Sequence, residues 1–189
     1  MIMIDVMKNT DFNELAKRAF ENARAKGFHD VERKDDHLLM LVVCELAEAV
    51  EADRCGRRAD RKEYERLVGA CEEIVRPHLF EMYIKDSVED ELADAVIRLL
   101  DFMGMKGTDI DGYLSKMDLS VKDFGEGKKK PFTDEVFGII QQFFYDGYEI
   151  YFMCDIFGLA QRCDIDLMWF IHEKMKYNET REVLHGKEY

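Results

Sequence analysis

The stretch SVEDELADAVIRLLDFM, residues 87–103, decides the fold that this sequence predicts. Ser87 and Asp90 have the spacing of a capping box, in which the serine hydroxyl accepts a hydrogen bond from a first-turn amide. The apolar residues that follow recur with the period of an α-helix. We therefore predict a helix here that carries a pair of carboxylates, Glu91 and Asp94, close to its start.

The helical period continues over most of the chain, whereas strand signals are scarce. No Asn-Gly or Asp-Gly dipeptide is flanked by the alternating apolar runs that mark a β-hairpin. The sequence therefore predicts an all-α helical bundle, in which residues 1–189 form a single domain. Further helices are expected at about 11–26, 36–54, 60–76, shortly after Pro77, and at about 108–117, 133–159 and 164–181.

One segment interrupts this helical pattern. The stretch GEGKKKP, residues 125–131, combines glycine, lysine and proline, and it predicts an exposed loop at about 122–131. A phosphate-binding Walker loop needs a different spacing and a preceding strand, so the lysine run is interpreted as an exposed basic turn.

The charge balance limits the partners of the protein. The chain has 40 acidic and 27 basic residues and a formal net charge of −13. Proteins that bind nucleic acid need a basic surface, so nucleic acid is not expected as a partner. A phosphorylated small molecule remains compatible with this charge if a metal ion lies between it and the protein.

Compartment signals are consistent with one another. No apolar run approaches the length of a membrane span, and the start MIMID lacks both a basic leader and a long apolar segment. The chain has five cysteines, and none of them forms a CxxC motif. We expect a cytoplasmic protein that does not bind a membrane and has neither a structural zinc site nor disulfides.

Two pairs of carboxylates carry the strongest chemical signal. Glu45 and Glu48 stand in one ELA[ED]AV frame, and Glu91 and Asp94 stand in another. Residues three apart on a helix lie on the same face, so each pair can direct two carboxylates toward one point. Their oxygen ligands suit a hard divalent cation, Mg²⁺ or Mn²⁺.

A simpler interpretation of these pairs stays open. ExxE and ExxD sequences are common on solvated helix faces, and one such pair is no evidence for a metal. Burying four unpaired carboxylates would cost several kcal/mol for each, so the two helices can pack together through these faces only around a cation. From composition and periodicity alone, a shared metal site and two solvated faces are both compatible with the sequence.

A third element lies near the end of the chain. Lys174, Asn178 and Arg181 are separated by four and three residues and therefore share one face of a predicted helix. Their ammonium, amide and guanidinium groups suit phosphate oxygens. Spacing alone favours an ordinary solvated helix end, where basic residues interact favourably with the helix dipole.

In combination, these motifs resemble the MazG-like nucleotide pyrophosphohydrolases, which belong to the all-α NTP pyrophosphatase superfamily. The shared features are ExxE at 45–48, ExxD at 91–94, KxxxNxxR at 174–181 and the HGK that follows at 185–187. The resemblance covers about residues 37–54, 87–118 and 164–189.

The resemblance implies an activity. It implies Mg²⁺-dependent hydrolysis of a nucleoside or deoxynucleoside triphosphate to the monophosphate and pyrophosphate, with a role in clearing the nucleotide pool. It implies Glu45, Glu48, Glu91 and Asp94 as metal ligands. One carboxylate, Glu48 by preference and otherwise Glu45, would polarise the attacking water.

The resemblance also implies the remaining contacts of the site. Lys174, Asn178 and Arg181 match the positions that contact phosphate and nucleotide in the family. The resemblance further implies a homodimer or a higher homo-oligomer.

Two segments depart from the family pattern, and they keep a second function class open. The stretch 55–88 is longer than in compact members, and the aromatic helix expected at 133–159 is not part of the motif. Either segment could form an oligomer contact or a lid, so the preferred base and sugar are not predicted. The aromatic stripe that contains Phe137 and Phe144 supports the alternative, a non-catalytic helical dimerisation module.

Overall fold

The structure is a computed structural model, and it describes residues 3–118, 130–146 and 148–186. Over this part of the chain it is helical throughout and has no strand, which confirms the all-α prediction. Two short 3₁₀ segments lie at Glu73–Val75 and Val183–Gly186. The α-helices of the described ranges are α1 (Met3–Asn9), α2 (Phe12–Ala25), α3 (Asp35–Arg54), α4 (Arg61–Val68), α5 (Arg76–Tyr83), α6 (Val88–Lys106), α7 (Ile110–Lys116), α8 (Phe132–Asp146), α9 (Glu149–Arg162) and α10 (Leu167–Thr180).

Helix α6 occupies the centre of the bundle, and its largest contacts are with α3 and α2, followed by α10 and α9. The Ser87 hydroxyl accepts from the Asp90 amide at 3.2 Å, so the helix begins where the capping box predicts. Gly107, in a left-handed conformation with φ of 66°, ends it. The buried apolar residues of α6 include Leu92, Val96 and Leu99, and they anchor a core to which α2, α3, α9 and α10 all contribute.

Two of the predicted helices differ from the structure. The charged segment predicted as one helix over 60–76 ends as α4 at Val68, and a new helix begins at Arg76. Pro77 lies in the first turn of that second helix, a position where its missing amide costs no hydrogen bond. The shorter helices leave room for a turn between α4 and α5.

The aromatic helix predicted over 133–159 is two helices, so that prediction is wrong. Tyr148 has an extended backbone, with φ −113° and ψ 115°, between α8 and α9. The rings of Phe143 and Phe152 stack with centroids 4.3 Å apart, and Glu135 bonds Arg162 at 2.6 Å. These contacts show that the chain reverses direction and that α8 and α9 form an antiparallel hairpin.

The exposed loop predicted at about 122–131 lies outside the described residues except for Lys130 and Pro131, which are both exposed. Among the described helices, none has both the length and the apolar character that crossing a lipid bilayer requires.

Helices α2 and α6 cross closely at Gly104. A Cβ atom built at this position would lie 2.4 Å from the backbone oxygen of Ala16 and 2.9 Å from its carbonyl carbon. Those atoms belong to the backbone of α2 and cannot move aside as a flexible side chain could. Glycine at 104 therefore sets the distance between the two helices.

We predict that Gly104→Ala lowers the free energy of unfolding by about 1–3 kcal/mol, because the added methyl group overpacks the crossing. The matched control is Gly138→Ala on α8, where an added Cβ meets no atom within 4 Å. That control should gain about 0.5–1 kcal/mol, since alanine favours the helix over glycine. Urea unfolding of both variants measures the difference, and an unchanged Gly104→Ala protein would contradict the close crossing.

Candidate functional site

Three acidic side chains from two helices converge at one point between α3 and α6. Carboxylate oxygens of Glu45, Glu48 and Glu91 all lie within 4.8 Å of one another. Glu45 and Glu91 are 3% and 5% exposed, whereas Glu48 is open to solvent. We call these three residues the carboxylate cluster. Its geometry suits a hard cation that approaches from the side of Glu48.

The fourth residue expected as a ligand, Asp94, has a different partner. Its Oδ2 lies 2.8 Å from the Nζ of Lys174, and the same ammonium lies 2.8 Å from both oxygens of Asp90. Asp90 and Asp94 are four residues apart on α6, so one lysine from α10 can bridge them. The structure thus places three of the four expected ligands together and pairs the fourth with a buried lysine.

Lys174 therefore differs from its expected position. The sequence placed it on one accessible face with Asn178 and Arg181, but its side chain is only 4% exposed. An ammonium group is buried only when it is paired, and Asp90 and Asp94 provide that pairing. These contacts raise the pKa of Lys174 above its ordinary value in spite of burial. Lys174 thus contacts the carboxylates of α6 where a contact with phosphate was expected.

The pairing with Lys174 shifts the pKa values of the α6 carboxyl groups in different directions. The nearby ammonium outweighs burial and lowers the pKa of Asp94. Burial, assisted by Asp94, raises the pKa of Asp90 to about 6 although Lys174 opposes the shift. Burial and the negative charges of Asp90 and Asp94 raise the pKa of Glu91 to about 9. Glu91 is therefore the carboxyl that most resists ionisation in the absence of a cation.

Glu45 has a basic partner of its own. Arg98, one turn after Asp94 on α6, donates to Glu45 Oε1 at 2.5 Å. Burial and the charge of Asp94 nevertheless raise the pKa of Glu45. The site contains two basic side chains, Arg98 and Lys174. They are outnumbered by the carboxyl groups of Glu45, Glu48, Asp90, Glu91 and Asp94.

A second group of acidic oxygens lies at the start of α6 and shares Glu91 with the first. Asp86, Asp90 and Glu91 also have oxygens within 4.8 Å of one another. Their interactions are satisfied within the chain, because Asp90 accepts from Lys174 and from the Asp86 amide, and Asp86 bonds Lys85 at 2.6 Å. We therefore interpret these contacts as stabilising the start of α6.

An open cavity of about 100 Å³ is lined by Asp94 and Arg98, and Arg98 connects it to Glu45 of the carboxylate cluster. Apolar side chains of α2, α3 and α6 cover part of its wall. The polar residues that border it include Asp94, Arg98, Asp101, Asn178, Arg181 and His29.

Asn178 borders the cavity with an unsatisfied polar atom. The residue is 6% exposed, and its side-chain oxygen has no hydrogen-bond partner within the described chain. A buried acceptor left without a partner costs about 1–3 kcal/mol, and such groups are rare in native structures. The oxygen is inaccessible to solvent, so a ligand in the cavity that donates to this amide would require the Asn178 side chain to rotate.

Arg181 follows the last turn of α10 and also borders the cavity. Its guanidinium lies 5.7 Å from the centre of the Tyr177 ring, and its backbone carbonyl accepts from Lys26 Nζ. Lys26 also donates to the carbonyl of Glu179 at 2.9 Å. The end of α2 thus holds the end of α10. Asn178 and Arg181 both border the cavity, and their predicted contact with phosphate stays a prediction.

Several residues of the site were missed by sequence reasoning. Asp90 was identified only as part of a helix cap, whereas it is the main partner of Lys174. Arg98 and Asp101 were not identified at all, although they continue the face of Asp94 at helical spacing. Charged residues on an otherwise apolar helix are the signal that could have identified them. No sequence signal identified His29, which lies after the end of α2. It contacts Asp101 only because α2 packs on α6.

Protein-family models, curated proteins and solved structures contain no significant match to this chain. The MazG-like resemblance therefore stays a hypothesis that the motifs carry. The function proposed below depends on the carboxylate cluster and the cavity beside it.

We predict that Glu91→Gln changes the pH dependence of stability. Between the ordinary value of 4.5 and about 9, the folded protein holds a proton on Glu91 that the unfolded chain has lost. The free energy of unfolding of the metal-free protein should therefore fall as pH rises through this window. The fall is about 1.4 kcal/mol per pH unit for one proton. Glutamine carries no titrating group, so the variant should gain stability relative to the parent protein as pH approaches 9.

Urea unfolding at pH 6 and pH 8.5, with a chelator or with millimolar Mg²⁺, measures this effect. Mg²⁺ should stabilise the parent protein more at the higher pH, because binding requires loss of the Glu91 proton. The exposed Glu21→Gln on α2 is the control. Parallel pH profiles for Glu91→Gln and the parent protein would contradict the assignment.

Proposed function

We propose that this protein hydrolyses a nucleoside or deoxynucleoside triphosphate to the monophosphate and pyrophosphate, with Mg²⁺ or Mn²⁺ as cofactor. The observation that carries the proposal is the convergence of Glu45, Glu48 and Glu91 beside a cavity that contains the unsatisfied amide of Asn178. A cation site next to a partly apolar cavity with polar groups suits a ligand that has both an anionic and an aromatic part.

The donor set supports a hard divalent ion. The cluster offers carboxylate oxygens alone, which Mg²⁺ and Mn²⁺ prefer over zinc or copper. Asp94 engages Lys174 through Oδ2, and it would complete the expected set of four ligands while it keeps that contact. The cation would also offset the burial and the repulsion that together raise the pKa of Glu45 and Glu91.

In this reaction the cation and Glu48 have different tasks. Mg²⁺ bound at the cluster would neutralise the triphosphate and lower the pKa of a coordinated water. Glu48 is the exposed member and is not tied to a basic residue as Glu45 is to Arg98, so we assign it to accept a proton from the attacking water. The water oxygen bonds to the α-phosphorus, the bond from that phosphorus to the bridging oxygen breaks, and pyrophosphate leaves.

The basic and amide groups of the cavity bind the rest of the substrate in this proposal. Arg181 provides a guanidinium that can bond two phosphate oxygens at once. Asn178 lies one turn earlier and contacts the nucleoside side of the α-phosphate. Lys174 acts indirectly, because its ammonium holds Asp94 and Asp90 in place. A cytoplasmic location, where nucleotide pools are available, and a role in clearing those pools are part of the same proposal.

The alternative function, a helical interaction module, is supported by a specific surface. Phe137 and Phe144 lie two turns apart on α8 and are 61% and 71% exposed. Exposed aromatic residues at this spacing suit a partner helix. The expected homo-oligomer stays a prediction, and this face of α8 is the surface that we propose for it. The two functions are compatible, and only the first requires a metal.

We predict that Glu48→Gln abolishes Mg²⁺-dependent release of pyrophosphate while the helical content is preserved. The substitution keeps the size of the side chain and removes a ligand charge, so the loss should exceed the roughly 10–100-fold cost of changing an outer-shell partner. The same variant should lose most of its thermal stabilisation by Mg²⁺.

The matched control is Glu51→Gln, one turn further along α3, where the carboxylate is exposed and accepts from Arg54 and from the Cys55 thiol. It should keep both activity and Mg²⁺ stabilisation. Pyrophosphate release by Glu48→Gln at the parental rate would refute the metal-site assignment.

We predict that Arg181→Ala weakens substrate binding and leaves metal binding intact. A charge-assisted hydrogen bond contributes about 1.5–3 kcal/mol, which corresponds to a fall in kcat/KM of about tenfold to hundredfold. Mg²⁺ should stabilise the variant as it does the parent protein, because Arg181 is not a ligand. The control is Lys176→Ala on α10, whose ammonium bonds Glu173 at 2.7 Å away from the cavity. Parental kinetics in Arg181→Ala would remove this residue from the substrate site.

A further inference from the structure

Each end of the cavity along α6 has an aspartate with a different partner, Lys174 for Asp94 and His29 for Asp101. Asp94, Arg98 and Asp101 are spaced by four and three residues, so they form one row that borders it. Seven residues of helix correspond to about 10 Å, which matches the length of a nucleoside monophosphate. A substrate whose α-phosphate lies at the carboxylate cluster would therefore bring its base toward Asp101.

Asp101 is held in a defined orientation at that far end. His29 Nε2 lies 2.7 Å from Asp101 Oδ1, and both side chains are mostly buried. Because an ionised carboxylate can only accept, the imidazole nitrogen donates. The His29 ring packs edge-on against Phe20, with ring centroids 4.9 Å apart. These contacts fix the carboxylate, and Oδ2 has no hydrogen-bond partner among the described residues.

The neighbouring wall is suitable for an aromatic ring. Ala23, Leu38, Leu41 and Ile97 provide apolar surface around the cavity. A planar base could pack against these side chains while its polar edge meets Asp101. Asn178 is not a discriminating group by itself, since an amide can donate or accept.

We propose that Asp101, oriented by His29, selects nucleobases that carry an amino group on the edge opposite the sugar. Cytosine and adenine present such a group, and its N–H can donate to Oδ2. Uracil and hypoxanthine present a carbonyl oxygen there, which would face an acceptor without a hydrogen between them. Asp101 is thus a specificity-determining residue, and this assignment rests on the proposed function because that function places the phosphates at the other end.

The test compares two substrate pairs that differ in this one group, dCTP with dUTP and dATP with dITP. With Mg²⁺ and a pyrophosphate readout, we expect kcat/KM to favour the amino-bearing member by roughly tenfold or more in at least one pair. Ratios close to one in both pairs, or a preference for the carbonyl-bearing members, would overturn the proposal.

The variant Asp101→Asn tests the residue itself. An amide can donate to a carbonyl oxygen, so the preference should fall by roughly tenfold or reverse, with a gain for dUTP or dITP. The matched control is Asp53→Asn, which also removes a carboxylate that accepts from a nitrogen-bearing side chain, here Arg58 at 2.5 Å, but lies outside the cavity. The control should keep the parental ratio. An unchanged ratio in folded Asp101→Asn would overturn the assignment of this residue.

A binding measurement separates this proposal from the proposed function. Thermal shifts of the parent protein with dCMP and with dUMP, each with Mg²⁺, need no turnover. Stronger stabilisation by dCMP without any pyrophosphate release would refute the enzyme and retain the selectivity. Equal turnover of dCTP and dUTP with equal shifts would retain the enzyme and refute the selectivity. If Asp101→Asn does not fold, the two ratios of the parent protein and these shifts decide the outcome.

Discussion

The buried contact of Lys174 with Asp90 and Asp94 is the interaction on which the rest of the site depends. It joins α10 to the central helix α6 through an ammonium that is 4% exposed. Removing one partner of a buried ion pair typically costs about 3–5 kcal/mol, because the remaining charge is left without compensation. The pairing therefore fixes the rotation of α10 about its own axis. That rotation places Asn178, one turn later, at the wall of the cavity.

The same contact determines which carboxylates remain for a cation. Lys174 lowers the pKa of Asp94 and limits the rise in that of Asp90, but it does not reach far enough to balance Glu91. Arg98 balances Glu45 in part. The carboxyl groups without a full basic partner therefore lie together where α3 and α6 meet, beside the exposed Glu48. The fold thus concentrates its uncompensated charge at the edge of the cavity.

Local sequence signals predicted the parts of this arrangement that lie within one helix. The capping box at Ser87 and the spacing of each carboxylate pair depend only on neighbouring residues, and the structure contains them. The partner of Lys174 depends on which face of α10 packs against α6, and spacing within α10 does not contain that information. The reversal between α8 and α9 was missed because apolar residues continue at helical spacing across it. The Asp-Gly dipeptide at 146–147 was the turn signal that the helical pattern outweighed.

Stability and chemistry depend on different groups in this bundle, apart from Asp94, which pairs with Lys174 and is also the fourth proposed ligand. The Lys174 contact satisfies Asp90 and Asp94 without a metal, so packing of α10 on α6 does not require one. Glu45, Glu48 and Glu91 contribute little to that packing, and burial raises the pKa of Glu45 and of Glu91 while no cation is present. A cation that binds them adds stability to a fold that is already complete, which is why metal-induced stabilisation reports on the site itself. Loss of this stabilisation in a folded variant can then be attributed to the cluster, because the ion pair that holds the helices together is unchanged.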